Sequence, residues 1–377
     1  MFFSFSICLI LSLQFSDGCI EFLRRQAEGL NLKFKVFELK PKEANCCYIL
    51  VRHQPELPSL LLTSHMDVVP VLEEKWTHKP FAAIKDENGN IYARGAQDMK
   101  CVGIQYIETV RKYIQEGLHL KRTLHLVFVP DEEIGGVDGM GLFIKTQEFK
   151  NLNVGCALDE GMASATDEFM LYYGERTIWG KCSPCPGQTG HGSLLHENTA
   201  GEKLSLEKRR LQLNPDFTIG DVTTLNLTII NGGVQNNVVP PAFVVTFDCR
   251  VAVDVDHTEF EAKLRQMASE CGANLSFRQK MPKIEVTSLD PETNPWSMAA
   301  HLYVLLGLIC YVFYSLFFQY LYSCHFLLIL GWYSSFWFFS NEQTPVLLHD
   351  HDEFLNEQVF LRGIDIYYNL IKALANA

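Results

Sequence analysis

The chain has 377 residues, enough for one large domain or two ordinary ones, and 47% of them are hydrophobic, which supplies a substantial core. A formal net charge of −12 argues against nucleic acid as the main partner. The 12 cysteines follow no disulfide-framework spacing, and Cys182 and Cys185 form a lone CxxC; this argues against a secreted disulfide scaffold and a zinc ribbon and fits a reducing cytosol.

In chain order, residues 1–13 have the apolar texture of a signal peptide without its positively charged start. Residues 19–30 predict a helix with Ile20, Leu23 and Leu30 on one face, and 34–39 and 48–52 predict strands. Residues 60–63 predict a short apolar strand that ends in Ser64-His65-Met66-Asp67. Residues 91–93 lead to Arg94-Gly95-Ala96-Gln97-Asp98. Met99, Val102, Tyr106, Ile107, Val110, Tyr113 and Ile114 then fall at helical spacing, with Asp98 expected as N-cap and Gly117 where a C-cap belongs. Residues 123–129 predict a strand that stops at Pro130-Asp131-Glu132-Glu133-Ile134-Gly135-Gly136. Residues 154–158 predict another, stopping at Asp159-Glu160-Gly161, and 345–348 a fourth, followed by His349-Asp350-His351-Asp352-Glu353. In α/β folds, sites are built at such strand ends.

Residues from about 175 to 283 differ in texture. Residues 222–230 alternate with Leu225, Leu227 and Ile229 on one face, and 242–251 with Phe243, Val245, Phe247 and Cys249. Asp256 and Glu259 make an acidic capping box, after which Phe260, Leu264, Met267 and Cys271 line a helix that stops at Gly272. A further helix is predicted at 199–213. The pattern is a small α+β domain inserted into an α/β one, giving domains 18–174, 175–283 and 284–377, the first and third being two parts of one domain.

Three adjacent acids resist burial unless cations share their space. With them, the strand ends offer His65, Asp67, Asp98, Glu160 and His349. Two imidazoles with several carboxylates suit a pair of divalent metals, zinc among them. Glu132 and Glu133, neighbours at a bend, can point to different sides and divide metal binding from proton transfer. Asp67 can receive the second ring N–H of His65 and orient it. Each pair has an ordinary reading, a surface His-x-Asp or a solvated Glu-Glu. What favours a site is their recurrence after apolar or glycine-ended runs. Asp131 has no role in this scheme, and either His349 or His351 could be a ligand.

The stretches Thr63–Pro70, Tyr92–Lys100, Phe128–Gly136, Ala157–Gly161 and Thr344–Glu353 resemble the aminoacylase-1 group of the M20 metallohydrolases. The likeness runs over about residues 20–297 and 343–375. It implies an M20-type catalytic domain that binds two zinc ions, with an inserted lid and dimerisation domain. By this resemblance Asp98 bridges the ions, His65 and Glu160 complete one, and Glu133 and His349 the other; His349 is preferred over His351 because Glu353 follows it at the family's spacing. Glu132 becomes general base and acid, and Asp67 orients His65. In the lid, His191 stabilises the oxyanion in the partner subunit's site, Asn237 contacts the oxyanion or acyl group, and Arg250 meets the substrate carboxylate. The implied activity is zinc-dependent hydrolysis of N-acyl-L-amino acids by a cytoplasmic homodimer. M20 dipeptidase or carboxypeptidase activity, or an inactive or membrane-anchored scaffold, are the alternatives.

The chain departs from that family in three places: residues 1–17, a shortened first lid helix around 205–210, and residues 298–342. No Asp, Glu, Lys or Arg occurs between Thr293 and Asn341. By hydropathy 302–339 would span a membrane. Lying between two well-matched halves of one zinc domain, the block reads instead as a mispredicted exon.

Overall fold

The computed structural model describes residues 16–40, 44–51, 54, 56–165, 169–186, 190–191, 223–233, 238–270, 272–297, 312–317, 334–338 and 344–377. It divides into two compact units, one of Met1–Gly174, Val286–Ser315 and Tyr320–Ala377, the other of Glu175–Glu285 with Leu316–Gln319. The first begins with α1 (Ser16–Gly29), β1 (Lys33–Lys40), β2 (Ala44–Val51), β3 (Ser59–His65), β4 (Ile84–Lys85), β5 (Asn90–Tyr92), α2 (Lys100–Gln115) and β6 (Leu124–Val129). Two single-turn helices, α3 (Met140–Phe143) and α4 (Gln147–Lys150), lead to β7 (Val154–Glu160) and β8 (Phe169–Glu175). The second unit carries β9 (Thr177–Pro186), β10 (Gly190–His191), β11 (Thr224–Asn231), β12 (Val238–Val239), β13 (Ala242–Val251), α5 (His257–Glu270) and β14 (Ser276–Lys280). After it come β15 (Val312–Phe317), β16 (Ser334–Phe338), β17 (Phe354–Asn356) and α6 (Glu357–Asn376).

An eight-stranded sheet in the order β1-β2-β6-β3-β7-β16-β8-β15 organises the first unit. Its middle strands β6, β3, β7 and β16 run parallel. Parallel strands need cover on both faces, so their sequences are apolar throughout rather than alternating. Leu60, Leu62, Leu124, Leu126, Phe128, Cys156 and Leu158 share one buried cluster with residues of α1, α2 and α6. The alternate residues Leu61, Val127, Val129 and Ala157 are buried as well. Between α2 and α6, the rings of Tyr106 and Tyr367 meet edge to face at 5.0 Å.

The second unit is an antiparallel sheet, β11-β13-β9-β14, and its core of Trp179, Cys249, Val251 and Leu264 joins sheet to α5. Asp256 caps α5, its Oδ1 accepting from the backbone N–H groups of Thr258 and Glu259 at 2.8 and 2.9 Å. The alternation expected along β11 fails at Ile229. A bulge after Leu227 lets Leu227 pair with Phe247 but Ile229 with Thr246, which turns Ile229 to the opposite face.

Two further expectations are corrected. The apolar run 345–348 is no strand: Pro345 O and Leu347 N hydrogen-bond to a side chain of a neighbouring loop, described below, and Leu347 O accepts from Asp350 N. Asp98 is not the cap of α2; Met99 holds that position and no side chain caps it. The helix predicted at 199–213 and the apolar residues 1–13 lie outside the described residues. Of the block 302–339, the described parts are β15 and β16 in the main sheet. Among the described residues no helix is long and apolar enough to cross a membrane.

His125 in β6 is a buried histidine with its hydrogen bonds complete. Nε2 lies 3.0 Å from the Leu152 carbonyl, which can only accept, so Nε2 carries the proton and Nδ1 accepts from Tyr48 Oη at 2.9 Å. Burial pulls its pKa down to about 4, against the hydrogen bond to Leu152. With a depressed folded value, stability is fully present above the unfolded pKa near 6.5 and is lost as pH falls from there towards 4. At ~1.4 kcal/mol per pH unit the loss comes to about 3 kcal/mol. Urea unfolding at pH 7 and pH 5 is expected to show a clearly shallower pH dependence in His125→Gln than in the wild type; parallel slopes would refute this.

Candidate metal centre

The three adjacent parallel strands β6, β3 and β7 end at one edge of the sheet, and each ends on a group able to bind a cation. His65 closes β3 opposite Val129, Glu160 closes β7, and β6 continues through Pro130 to the one-turn helix Glu132–Ile134. Asp98 arrives on the loop between β5 and α2, and His349 on the loop before β17.

These side chains converge. His65 Nε2 lies 2.9 Å from Asp98 Oδ1, 3.3 Å from Glu160 Oε1 and 3.8 Å from Glu132 Oε2. His349 Nε2 lies 3.2 Å from Asp98 Oδ2 and 3.1 Å from Glu133 Oε2. Asp98 thus turns one oxygen to each imidazole, which is why it caps no helix. His351, the other candidate, makes no contact of this kind; its backbone N–H donates to Asp350 Oδ1 at 2.7 Å.

The charge pattern calls for cations. Burial pushes Glu132, Glu133 and Glu160 upward, and the neighbouring carboxylates push them further. Burial depresses the imidazoles, yet the surrounding acids overcome it, raising His65 well above its ordinary value and His349 to about 10. Asp98 is held well below the carboxylate range by its two histidines despite burial. Among the described residues, buried Oε1 of Glu133 has no hydrogen-bond partner. Two sets of ligand atoms, from His65, Glu132 and Glu160 and from His65, Asp98 and Glu133, each lie within 4.8 Å of one another. Mixed imidazole and carboxylate donors, largely buried and short of positive charge, fit divalent metal ions.

Asp67 does more than was expected of it, and differently. His65 Nδ1 is held by the backbone carbonyl of Asp67 at 2.9 Å, while the Asp67 carboxylate is 3.5 Å away. That carboxylate accepts the backbone N–H of Glu132 at 3.1 Å and of Glu133 at 3.0 Å. It therefore fixes the acidic turn more than the ring. A carbonyl acceptor at Nδ1 leaves the Nε2 lone pair of neutral His65 facing the cluster.

Asp131, without a role in the sequence, folds the loop. Its Oδ2 accepts from Asp138 N and Gly139 N at 2.9 and 3.0 Å, and its carbonyl from Gly136 N at 2.7 Å. The reversal needs φ of +113° at Gly135 and +61° at Gly136, which side-chain-bearing residues rarely adopt.

Arg94, Gln97 and Glu353 were missed as site-building residues. Glu353 is fully buried and accepts from Arg94 Nη1 at 2.7 Å, Gln97 N at 2.6 Å and Gly95 N and Asp98 N at 3.2 Å. Burial raises its carboxyl to about 7, against the pull of Arg94 and Gln97. Gln97 reaches the same segment through its side chain. All three stand in or beside the motifs, but partners some 260 positions apart leave no local signal.

His191 forms the short ladder β10–β12, opposite Val238. Arg250 is buried in β13, where its Nε donates to Asp248 Oδ2 at 2.9 Å. Both belong to the second unit, and Asn237 lies outside the described residues.

Comparison with known proteins gives the geometry a lineage. The family model described as "Peptidase family M20/M25/M40" matches residues 61–373. The chain belongs to this family. This M20 chain is 42% identical to aminoacylase-1 of Mus musculus over 98% of its own length and 93% of the relative's. Its identity to aminoacylase-1 of Sus scrofa is 44%, over 95% and 90%. It is similar in fold to the di-peptidase Dug1p of Saccharomyces cerevisiae, with a TM-score of 0.75 at 15% identity over 99% of this chain and 95% of that one. The M20 fold, with its catalytic sheet and separate antiparallel lid sheet, accounts for the two units.

Replacing Glu353 with Met leaves Arg94 and the Gln97 N–H without their acceptor. The cost is expected to be about 3–5 kcal/mol in denaturant unfolding of the metal-free protein. Asp365→Asn, which breaks the surface pair with Lys112, is expected to cost less than about 1 kcal/mol. Equal costs would refute the weight given to Glu353.

Proposed function

We propose that this chain is a zinc-dependent aminoacylase that hydrolyses N-acyl-L-amino acids, N-acetylated neutral aliphatic ones included, to a carboxylate and a free L-amino acid. The observation that carries the reading is the identity of 42–44% with aminoacylase-1 over nearly the whole of both chains. The converged imidazoles and carboxylates support it as chemistry.

Two zinc ions fit the donor set. Asp98 would bridge them, with His65 and Glu160 on one and Glu133 and His349 on the other. Bound zinc supplies Lewis acidity towards the amide carbonyl and acidifies water beside it. Glu132, 1% exposed, takes the proton from the attacking water and returns it to the leaving nitrogen. Asp67 keeps that base in place through the backbone N–H of Glu132. In the lid, Arg250 takes the substrate carboxylate, Asn237 the oxyanion or acyl group, and His191 the oxyanion of the partner subunit's site, so the working form is a dimer through the lid. The buried thiols of Cys19, Cys46, Cys101, Cys156 and Cys249 agree with a cytoplasmic location.

Two outcomes test this. The zinc-loaded protein is expected to cleave N-acetyl-L-methionine in preference to a dipeptide, to lose activity in a chelator and to regain it with zinc; a reversed preference makes it an M20 dipeptidase, and no zinc-dependent turnover makes it an inactive family member. Glu132→Gln is expected to lower kcat by roughly 10²–10⁴ with zinc content unchanged by atomic emission. Retained turnover would remove Glu132 from the role of base.

A further inference from the structure

Gln97 is completely buried and directly precedes Asp98, yet its amide serves the segment that carries His349. Nε2 donates to the carbonyls of Pro345 at 3.0 Å and Phe354 at 2.8 Å, and Oε1 accepts from Leu347 N at 3.1 Å. Both amide hydrogens and the carbonyl oxygen are thereby used on three points that bracket His349. The bracket has something to hold. His349 has φ of +63°, a left-handed conformation that residues other than glycine rarely adopt and that persists where its surroundings impose it.

The two halves of the cluster therefore differ in how they are made. His65 and Glu160 close β3 and β7, neighbours in one parallel ladder, and the sheet fixes them. His349 belongs to no ladder, and its loop meets the Asp98 loop through Gln97 and Glu353. Glu353 also binds an arginine and three backbone N–H groups, so its loss disturbs the fold at large. Gln97 forms the narrower link. A glutamate in its place would lack both donors and add another acid beside the cluster; a methionine would keep the volume and remove every hydrogen bond of the side chain.

We propose that Gln97 is a positioning residue for the His349–Glu133 half of the metal centre: its amide sets loop 345–354 so that His349 Nε2 meets Asp98 and Glu133, and without it that half alone loses affinity for a divalent cation. This rests on the reading above that the two halves hold separate ions.

The test uses the full chain as wild type, Gln97→Met and Gln97→Asn, each stripped of metal and titrated with zinc against a chromophoric chelator, and with cobalt(II) followed by visible absorption. In Gln97→Met one ion is expected to bind as in the wild type and the other roughly 10- to 100-fold more weakly, with the cobalt spectrum of the weakened position shifted. Gln97→Asn keeps the amide but is one methylene too short to reach both carbonyls, and is expected to fall between. Circular dichroism and unfolding midpoints of the metal-free proteins are read in parallel, since a merely structural role would move these and leave the two affinities in their wild-type ratio. Wild-type affinity at both positions of Gln97→Met, or equal weakening of both, overturns the proposal. So does failure of both variants to fold, because Gln97 would then serve the fold as a whole. A wild type that binds no zinc defeats the reading of the site itself; a wild type and a Gln97→Met that both hold the pair defeat only this inference.

Discussion

The ion pair of Arg94 with Glu353 joins residues 259 positions apart and brings the loop that carries Asp98 to the segment that carries His349. A buried pair is a poor source of net stability, because desolvation consumes most of the attraction. Its value here lies in register. Glu353 also accepts the backbone N–H groups of Gly95, Gln97 and Asp98, so one carboxylate dictates the path of the loop that presents Asp98. The main chain repeats the contact, with Ala93 N donating to Glu353 O at 3.0 Å and β17 pairing with β5. Asp98 and His349 meet as a consequence.

The sheet supplies the complementary rigidity. Its parallel strands are buried on both faces and their ends cannot drift independently, so His65 and Glu160 hold their places before any ligand arrives. The price is electrostatic: buried acids raised by one another, beside imidazoles raised by the acids, form a cluster that gains stability from added positive charge. A cation that binds the folded chain and not the unfolded one returns that stability by mass action, growing with the logarithm of its free concentration. Function and folding are thus linked through the same few side chains.

Much of this was legible from local pattern. Apolar runs that stop at acids or histidine located β3, β6 and β7, because a buried parallel strand leaves a strong one-dimensional signal. The misreadings came where a longer-range partner prevailed over a local rule. Residues 345–348 are as apolar as a strand, but Gln97 takes the hydrogen bonds that a ladder would need. Asp98 stands where an N-cap belongs, but two imidazoles hold its carboxylate. A bulge reversed Ile229, and period-two reasoning cannot see an inserted residue. Asp131 and Asp67 bind backbone N–H groups, whose positions exist only after folding. The sequence motifs named the groups of the site; the hydrogen bonds that aim them had no spelling of their own.

The position of the clamp in the chain carries a consequence for biogenesis. Domains form in step with synthesis from the N-terminus. His65, Asp98, Glu132, Glu133 and Glu160 all precede the second unit in the chain, while His349, Glu353 and α6 follow it. A nascent chain therefore displays a half-built, acid-rich pocket through the whole synthesis of the second unit, able to offer ligands but not to close around a cation. Completion of the metal centre therefore waits until the second unit has been made.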